Sequence, residues 1–391
     1  MLGAIIGDIA GSIYEFNNIK TKDFPIISEG CRFTDDSVMT FAVAEALQNG
    51  KRDETKTEIC MVKSMKKYGK LYPDAGYGGR FSAWLSNPEP KPYGSYGNGS
   101  AMRVSPVAWY FHSLEKVEKF AEISAKVTHD HPEGIRGAKA VAAAIFLARN
   151  GRSKDYIKRY MELKYRYEFK ESVDEIRTHY RFDETCQGTV PVALQVFFEA
   201  TDFEDTLRTA ISVGGDSDTL AAIACSIAEG CYPIPDEIRK KALSCLDKKL
   251  LSMLKKWDSD ISVSSSPFEQ RDLLCYTDYL LSNPRTEKKT IRHPSLDKDI
   301  VVPEYGEIMY NFISDASSSP YFREDYKEIL ARHNICRYED MIVELPDAGE
   351  NLLSAMLTLI LAGEKVNPGN IAWAAETGIL GDIMQGLKEC Q

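Results

Sequence analysis

Two helix starts loaded with carboxylates constrain this chain more than any other feature. Thr34-Asp35-Asp36 precedes apolar residues at Val38, Phe41, Ala42 and Ala46, and Gly214-Gly215-Asp216-Ser217-Asp218-Thr219 precedes Leu220, Ile223, Ala224, Ile227 and Ala228. Both runs carry the spacing of a helix with one buried face. Gly50 and Gly230 stand where each helix should stop, and are expected to take the left-handed conformation that ends it. Strand-like alternation is scarce, Ile300-Val301-Val302 being the clear β-branched run, so the chain is expected to be all-α.

One Asp, Ser or Thr side chain suffices to cap a helix. Capping therefore accounts for one oxygen donor at each start, while adjacent carboxylates within about 4 Å repel by roughly 1–4 kcal/mol per pair at surface-like dielectric. A divalent cation would turn that repulsion into coordination. Oxygen-only donors select Mg²⁺, Mn²⁺ or Ca²⁺ over zinc or copper. About 180 residues separate the two starts, and nothing in the spacing brings them together.

Other motifs could complete a site. Asp8 and Glu15 are seven residues apart, on the same side of a helix after two turns. Glu15 is then either an exposed glutamate or a carboxylate that moves a proton beside the cations. Gly97-Asn98-Gly99-Ser100-Ala101-Met102-Arg103 is a glycine-rich turn of the kind that aims N–H groups at a phosphate, and equally a plain loop. Arg103 would add charge there or end in a surface salt bridge. His129 and His131 have His-x-His spacing, but with oxygen donors elsewhere and no cysteine nearby zinc is disfavoured, leaving ligand contact or loop packing for His129. Tyr77, Phe81, Tyr93 and Tyr96 could stack on a nucleobase, although 20 tyrosines make ordinary packing the default.

A formal charge of −10 repels nucleic acid and anionic membrane over most of the surface, which argues against both partners without excluding a local basic patch. Nine scattered cysteines without a CxxC pair imply reduced thiols and a cytoplasmic setting. The segment Met1 to Asp8 is apolar but lacks a basic start, unlike a signal peptide. No run approaches the roughly 20 apolar residues of a membrane span, and 138–148 and 352–362 read as buried helices. A first domain is expected over 1–257, closed by an amphipathic helix at 238–254. Residues 258–303 have linker composition, beginning with Asp258-Ser259-Asp260 and Ser264-Ser265-Ser266-Pro267, and 304–391 read as a helical domain without an assigned role.

Five segments, in order, resemble the motifs of the ADP-ribosylglycohydrolases, the family of the dinitrogenase reductase-activating glycohydrolase and the ADP-ribosyl-acceptor hydrolases. They are Gly3-Ala4-Ile5-Ile6-Gly7-Asp8 with Tyr14-Glu15, Phe33-Thr34-Asp35-Asp36-Ser37, the Gly97 to Arg103 turn, Thr128-His129 with Gly137-Ala138, and Gly214 to Thr219. The resemblance spans roughly residues 1–257 and implies an orthogonal helical bundle there; the small, mainly helical domain that is expected to follow it lies outside the match. It further implies two Mg²⁺ or Mn²⁺ ions held by Thr34, Asp35, Asp36, Asp216, Asp218 and Thr219. Glu15 or Asp36 would assist proton transfer. Gly97, Asn98, Gly99, Ser100 and Met102 would cradle the diphosphate of ADP-ribose, with His129 lining the same cleft. The implied activity is metal-dependent release of ADP-ribose from a protein or small-molecule conjugate by cleavage at C1″; the acceptor and the oligomeric state are not legible. Two other readings stay open: a helical metal-dependent phosphohydrolase using His129-Asp130 as a ligand dipeptide, and a catalytically silent ADP-ribose-binding module.

Overall fold

The computed structural model describes residues 1–111, 113–264, 273–292, 299–317, 319, 321–364 and 367–390. It divides into two compact units, Met1–Ser264 and Ser265–Gln391. The all-α expectation holds, with one two-stranded sheet among the described residues.

The first unit is organised by the Leu2–Gly11 helix lying against the Ser217–Ala228 helix. Gly3, Gly7 and Gly11 recur every four residues and so line one helix face. A Cβ at these positions would fall 2.2 Å from the Cys225 carbonyl oxygen, 2.3 Å from the Ala221 carbonyl and 2.4 Å from Asp218 Cα. Missing side chains therefore let the two backbones touch, and they bring the end of the first helix onto Asp218. Glu229 closes the pair by accepting from the N–H groups of Leu2 (3.1 Å) and Gly3 (2.8 Å). Gly7→Ala meets backbone rather than a yielding side chain, so it is expected to cost about 3 kcal/mol, the upper range for overpacking. That corresponds to a fall of roughly 5–10 °C in the unfolding midpoint; an unchanged midpoint would mean the helices separate freely.

The Asp35–Gly50 helix begins at the first acidic segment and buries Val38, Met39, Phe41, Ala42 and Ala46. Its left-handed stop is Lys51 (φ 52°), not Gly50 as expected. Gly50 is instead small because Thr57 Oγ1 would lie 2.1 Å from a Cβ there. Likewise, the Ser217–Ala228 helix ends on right-handed Glu229, and Gly230 is not among the glycines of positive φ. Close packing, rather than helix termination, fixes both glycines.

The single helix expected over 238–254 is two, Asp236–Ser244 and Lys248–Ser264. Asp247 breaks them, because its carboxylate takes the N–H groups of Lys249 (2.8 Å) and Leu250 (2.9 Å) and starts the second helix anew. Leu250, Leu254 and Trp257 are buried at helical spacing, so the helix runs past 257 into residues of linker composition.

Further along that segment, Glu287–Arg292 and Asp299–Glu304 form an antiparallel pair with Ile291 opposite Ile300 and Thr290 opposite Val301, so part of it is ordered as a β-ribbon. Ser265, Ser266, Pro267 and 293–298 lie outside the described residues. The second unit has its own core, in which Leu353, Met356, Leu357 and Ile360 of the Glu350–Glu364 helix join Leu280, Phe312 and Leu380. No helix among the described residues is long and apolar enough to cross a membrane.

Candidate metal centre and cleft

Asp8 is fully buried, and its carboxylate accepts from Thr34 N (3.0 Å), Thr34 Oγ1 (2.6 Å), Ser37 N (3.0 Å) and Ser37 Oγ. Burial pushes this carboxyl up, and the bonds from Ser37 and Thr34 pull the other way. With its oxygens so occupied, Asp8 orients the start of the Asp35–Gly50 helix. Thr34 caps that helix by accepting from Asp36 N (3.3 Å). Capping thus accounts for Thr34 alone, since Asp216 makes no capping bond at the other helix.

Glu15 does not share a helix with Asp8, because the helix ends at Gly11 and Glu15 sits in the turn beyond. Asn18 positions that turn: its Nδ2 donates to the carbonyls of Tyr14 (2.8 Å), Glu15 (2.9 Å) and Gly215 (2.9 Å), and its Oδ1 accepts from Gly215 N (2.7 Å). Gly214 (φ 73°) and Gly215 (φ 74°) are both left-handed, and a Cβ on Gly215 would strike Tyr180 Cε1 at 2.6 Å. Only glycine fits this second position. The outcome is a cluster in which carboxylate oxygens of Glu15, Asp216 and Asp218 all lie within 4.8 Å of one another.

The first acidic helix start meets this cluster where Thr219 Oγ1 donates to Asp36 Oδ1 (3.3 Å). Asp36 Oδ2 is buried and has no hydrogen-bond partner. Burial pushes the carboxyls of Asp36 and Asp218 well above the usual range; Asp8, Asp35 and Asp216 add to it at Asp36, as Asp216 and Asp36 do at Asp218. Asp35, which keeps part of its surface open, is pushed up to about 8 by burial and then by Asp8 and Asp216. Half-buried Glu15 is raised to about 7 by burial, Asp216, Glu184 and Asp8. An orphaned buried carboxylate oxygen amid convergent oxygen donors fits a hard divalent cation.

Asn98 joins the glycine turn to this cluster. Its Nδ2 donates to Asp216 Oδ2 (2.7 Å) and Thr189 Oγ1 (3.1 Å), and its N–H to the Glu184 carbonyl (2.7 Å). Ser100 and Met102 are buried, Ser100 Oγ donating to the Gly134 carbonyl (2.8 Å). Their side chains face inward, so a ligand at this turn would meet the N–H groups that begin the Gly99–Met102 helix. His129 lies alongside, with its Nε2 3.6 and 3.4 Å from where Cβ atoms would stand on Gly97 and Gly99. Burial, followed by the charges of Arg103 and Arg80, holds the imidazole well below its ordinary pKa.

Arg103 takes neither role expected of it. It is buried, and its Nη2 donates to the Ser124 carbonyl (2.9 Å) and Thr128 Oγ1 (2.8 Å). Among the candidate stacking rings, Phe81 is committed to the core against Trp84, at 5.5 Å between centroids, whereas Tyr96 is exposed. His131 caps the Pro132–Arg149 helix through Nδ1 (3.2 Å from Glu133 N), and Asp130 accepts from Gly94 N (2.6 Å). His129 and Asp130 thus hold different partners. Sequence reasoning missed Asn18, whose only signal is its place three residues after Glu15, and the exposed stacked pair Phe16 and Phe182, 6.0 Å apart.

Residues 1–257 match the ADP-ribosylglycohydrolase family, and the chain belongs to it. It is similar to the ADP-ribosylhydrolase ARH3 of Homo sapiens, at 27% identity over 309 residues, 59% of this chain and 84% of that protein. It is also similar to the ADP-ribosylarginine hydrolase Tri1 of Pseudomonas putida, at 26% identity over 291 residues, 65% of this chain and 76% of the relative. A solved chain described as an ADP-ribosylglycohydrolase-related protein complex aligns with a TM-score of 0.45 at 20% identity, over 62% of this chain and 95% of that one.

Proposed function

We propose that residues 1–257 form a metal-dependent hydrolase that releases ADP-ribose from an ADP-ribosylated protein or small-molecule conjugate by cleaving the N- or O-glycosidic bond at C1″. The observation that carries the reading is the convergence of Glu15, Asp216 and Asp218 beside an unpartnered Asp36 oxygen. Thr34, Asp35, Asp36, Asp216, Asp218 and Thr219 would hold two Mg²⁺ or Mn²⁺ ions. Once bound, such ions supply a positive template for ribose hydroxyls and acidify a water molecule.

The chain's own groups do the rest. Bond cleavage builds oxocarbenium character on the sugar and negative charge on the acceptor, so a proton must be moved. Glu15, beside Asp216 and Asp218, is the first candidate for that task, with Asp36 as the other. The turn from Gly97 to Ser100 and His129 would hold the diphosphate, and Asn98 keeps that end in register with Asp216. Nine scattered cysteines without a CxxC pair support a reducing, cytoplasmic setting. No role is assigned to 304–391.

ADP-ribosylated arginine, serine and DNA, incubated with Mg²⁺ or with chelator and read by mass, test the proposal. Free ADP-ribose only in the Mg²⁺ arm is expected. AMP would favour the phosphohydrolase reading, and tight binding without turnover of any conjugate would favour a silent binding module.

A further inference from the structure

Arg103 is among the largest fully buried side chains, and among the described residues no carboxylate forms an ion pair with it. A buried guanidinium without a counter-charge is costly, and its partners here lead to one place. Arg103 Nη2 donates to Thr128 Oγ1 (2.8 Å), and that oxygen lies 2.6 Å from His129 Nδ1.

We propose that Arg103 and Thr128 are positioning residues that hold His129 in its neutral Nε2–H tautomer, with that N–H presented to the Gly97-Asn98-Gly99 turn as a donor to a bound anion. The assignment follows from counting protons. Arg103 can only donate, so it occupies one lone pair of Thr128 Oγ1. The threonine proton then has two acceptors, the Ala125 carbonyl at 3.4 Å and His129 Nδ1 at 2.6 Å. Donation to the carbonyl would leave Nδ1–H to fill the second lone pair of Oγ1, but only through a 3.4 Å bond; the 2.6 Å contact favours Nδ1 as the acceptor, which puts the ring's own proton on Nε2. Nε2 is the ring atom that faces both glycines, 3.6 and 3.4 Å from where Cβ atoms would stand on Gly97 and Gly99. The same arrangement resists protonation of the ring: Arg103 faces it through Thr128, and Arg80 lies over Tyr93, whose ring is 6.1 Å from the imidazole. A donor would thus persist there across the acid range.

The use of that donor rests on the proposed function, whereas the tautomer does not, so the two can fail separately. ¹⁵N-histidine spectra of the full chain without substrate, with His129 assigned by comparison with His129→Gln, should show an unprotonated Nδ1 and a protonated Nε2, unchanged from pH 8 to pH 5. Thr128→Val should mix the tautomers, and Thr128→Ser should restore the original pattern. An Nδ1–H signal in the unaltered protein, or a Thr128→Val spectrum identical to it, overturns the assignment. With an ADP-ribosylated substrate, Thr128→Val should raise KM about tenfold, one hydrogen bond's worth, with kcat little changed and recovery in Thr128→Ser. An unchanged KM with an altered tautomer would overturn the binding role alone.

Discussion

Asp218→Asn is expected to lower kcat by about 10²–10³-fold, the scale on which removal of one charge-stabilising group is felt, while leaving the fold intact. Asparagine nearly matches aspartate in shape, so the packing of Asp218 against Gly11 is kept. What changes is charge. Asp218 shares its site with Asp216, Asp36 and Glu15, each of which opposes its ionisation. In chelator at pH 8, the variant should therefore unfold at a midpoint no lower than the parent's. With Mg²⁺ the order should reverse, because only the parent gains a complete ligand set. Paired measurements of turnover and thermal unfolding test both halves, and near-native turnover at low Mg²⁺ would remove Asp218 from the centre.

Without divalent cations, the first unit is expected to lose stability as pH rises from about 4 to about 8. The sign follows from the raised carboxyls. Asp36, Asp218, Asp35 (about 8) and Glu15 (about 7) retain protons in the folded chain that the unfolded chain has already released. Their contribution is whole below the ordinary carboxylate range and is lost as pH climbs through the folded values. His129 tilts the acid side the other way: its folded value lies below the ordinary 6.5, so the unfolded chain takes up its proton first and stability drops as pH falls below that point. A bound cation would replace the missing protons. At a hundredfold excess over its Kd it adds about 2.7 kcal/mol, or roughly 5–10 °C in a unit of this size, with a smaller gain at pH 5 where protons compete. Calorimetry across pH in chelator and in Mg²⁺ checks this. A flat profile in chelator together with no response to Mg²⁺ would leave the acidic cluster without its proposed occupant.

The acidic helix starts were legible because local rules write them: polar caps, then an apolar period. Their meeting was not, since Asp36 and Asp216 are far apart in sequence and their approach depends on which helix faces touch. The Gly3, Gly7 and Gly11 stripe does carry that information, through a four-residue spacing that permits close backbone approach. Gly50 and Gly230 were read as helix stops because termination and tight packing select the same residue. Glu15 was placed on a helix by periodicity, whereas its position depends on Asn18, a single amide whose bonds cross from one segment to another. Arg103 shows the same limit. Composition puts an arginine at the surface, and only the packed structure reveals a guanidinium bonded to a carbonyl and a threonine.

The glycine-lined contact between the Leu2–Gly11 and Ser217–Ala228 helices also sets a timetable. Asp8, Asp35 and Asp36 leave the ribosome before the segment that answers them, which is made some 200 residues later, and contacts spanning so much sequence form slowly. A nascent chain halted before Thr219 would hold only half of the proposed cradle. Synthesis itself therefore fixes the earliest moment at which this protein can act.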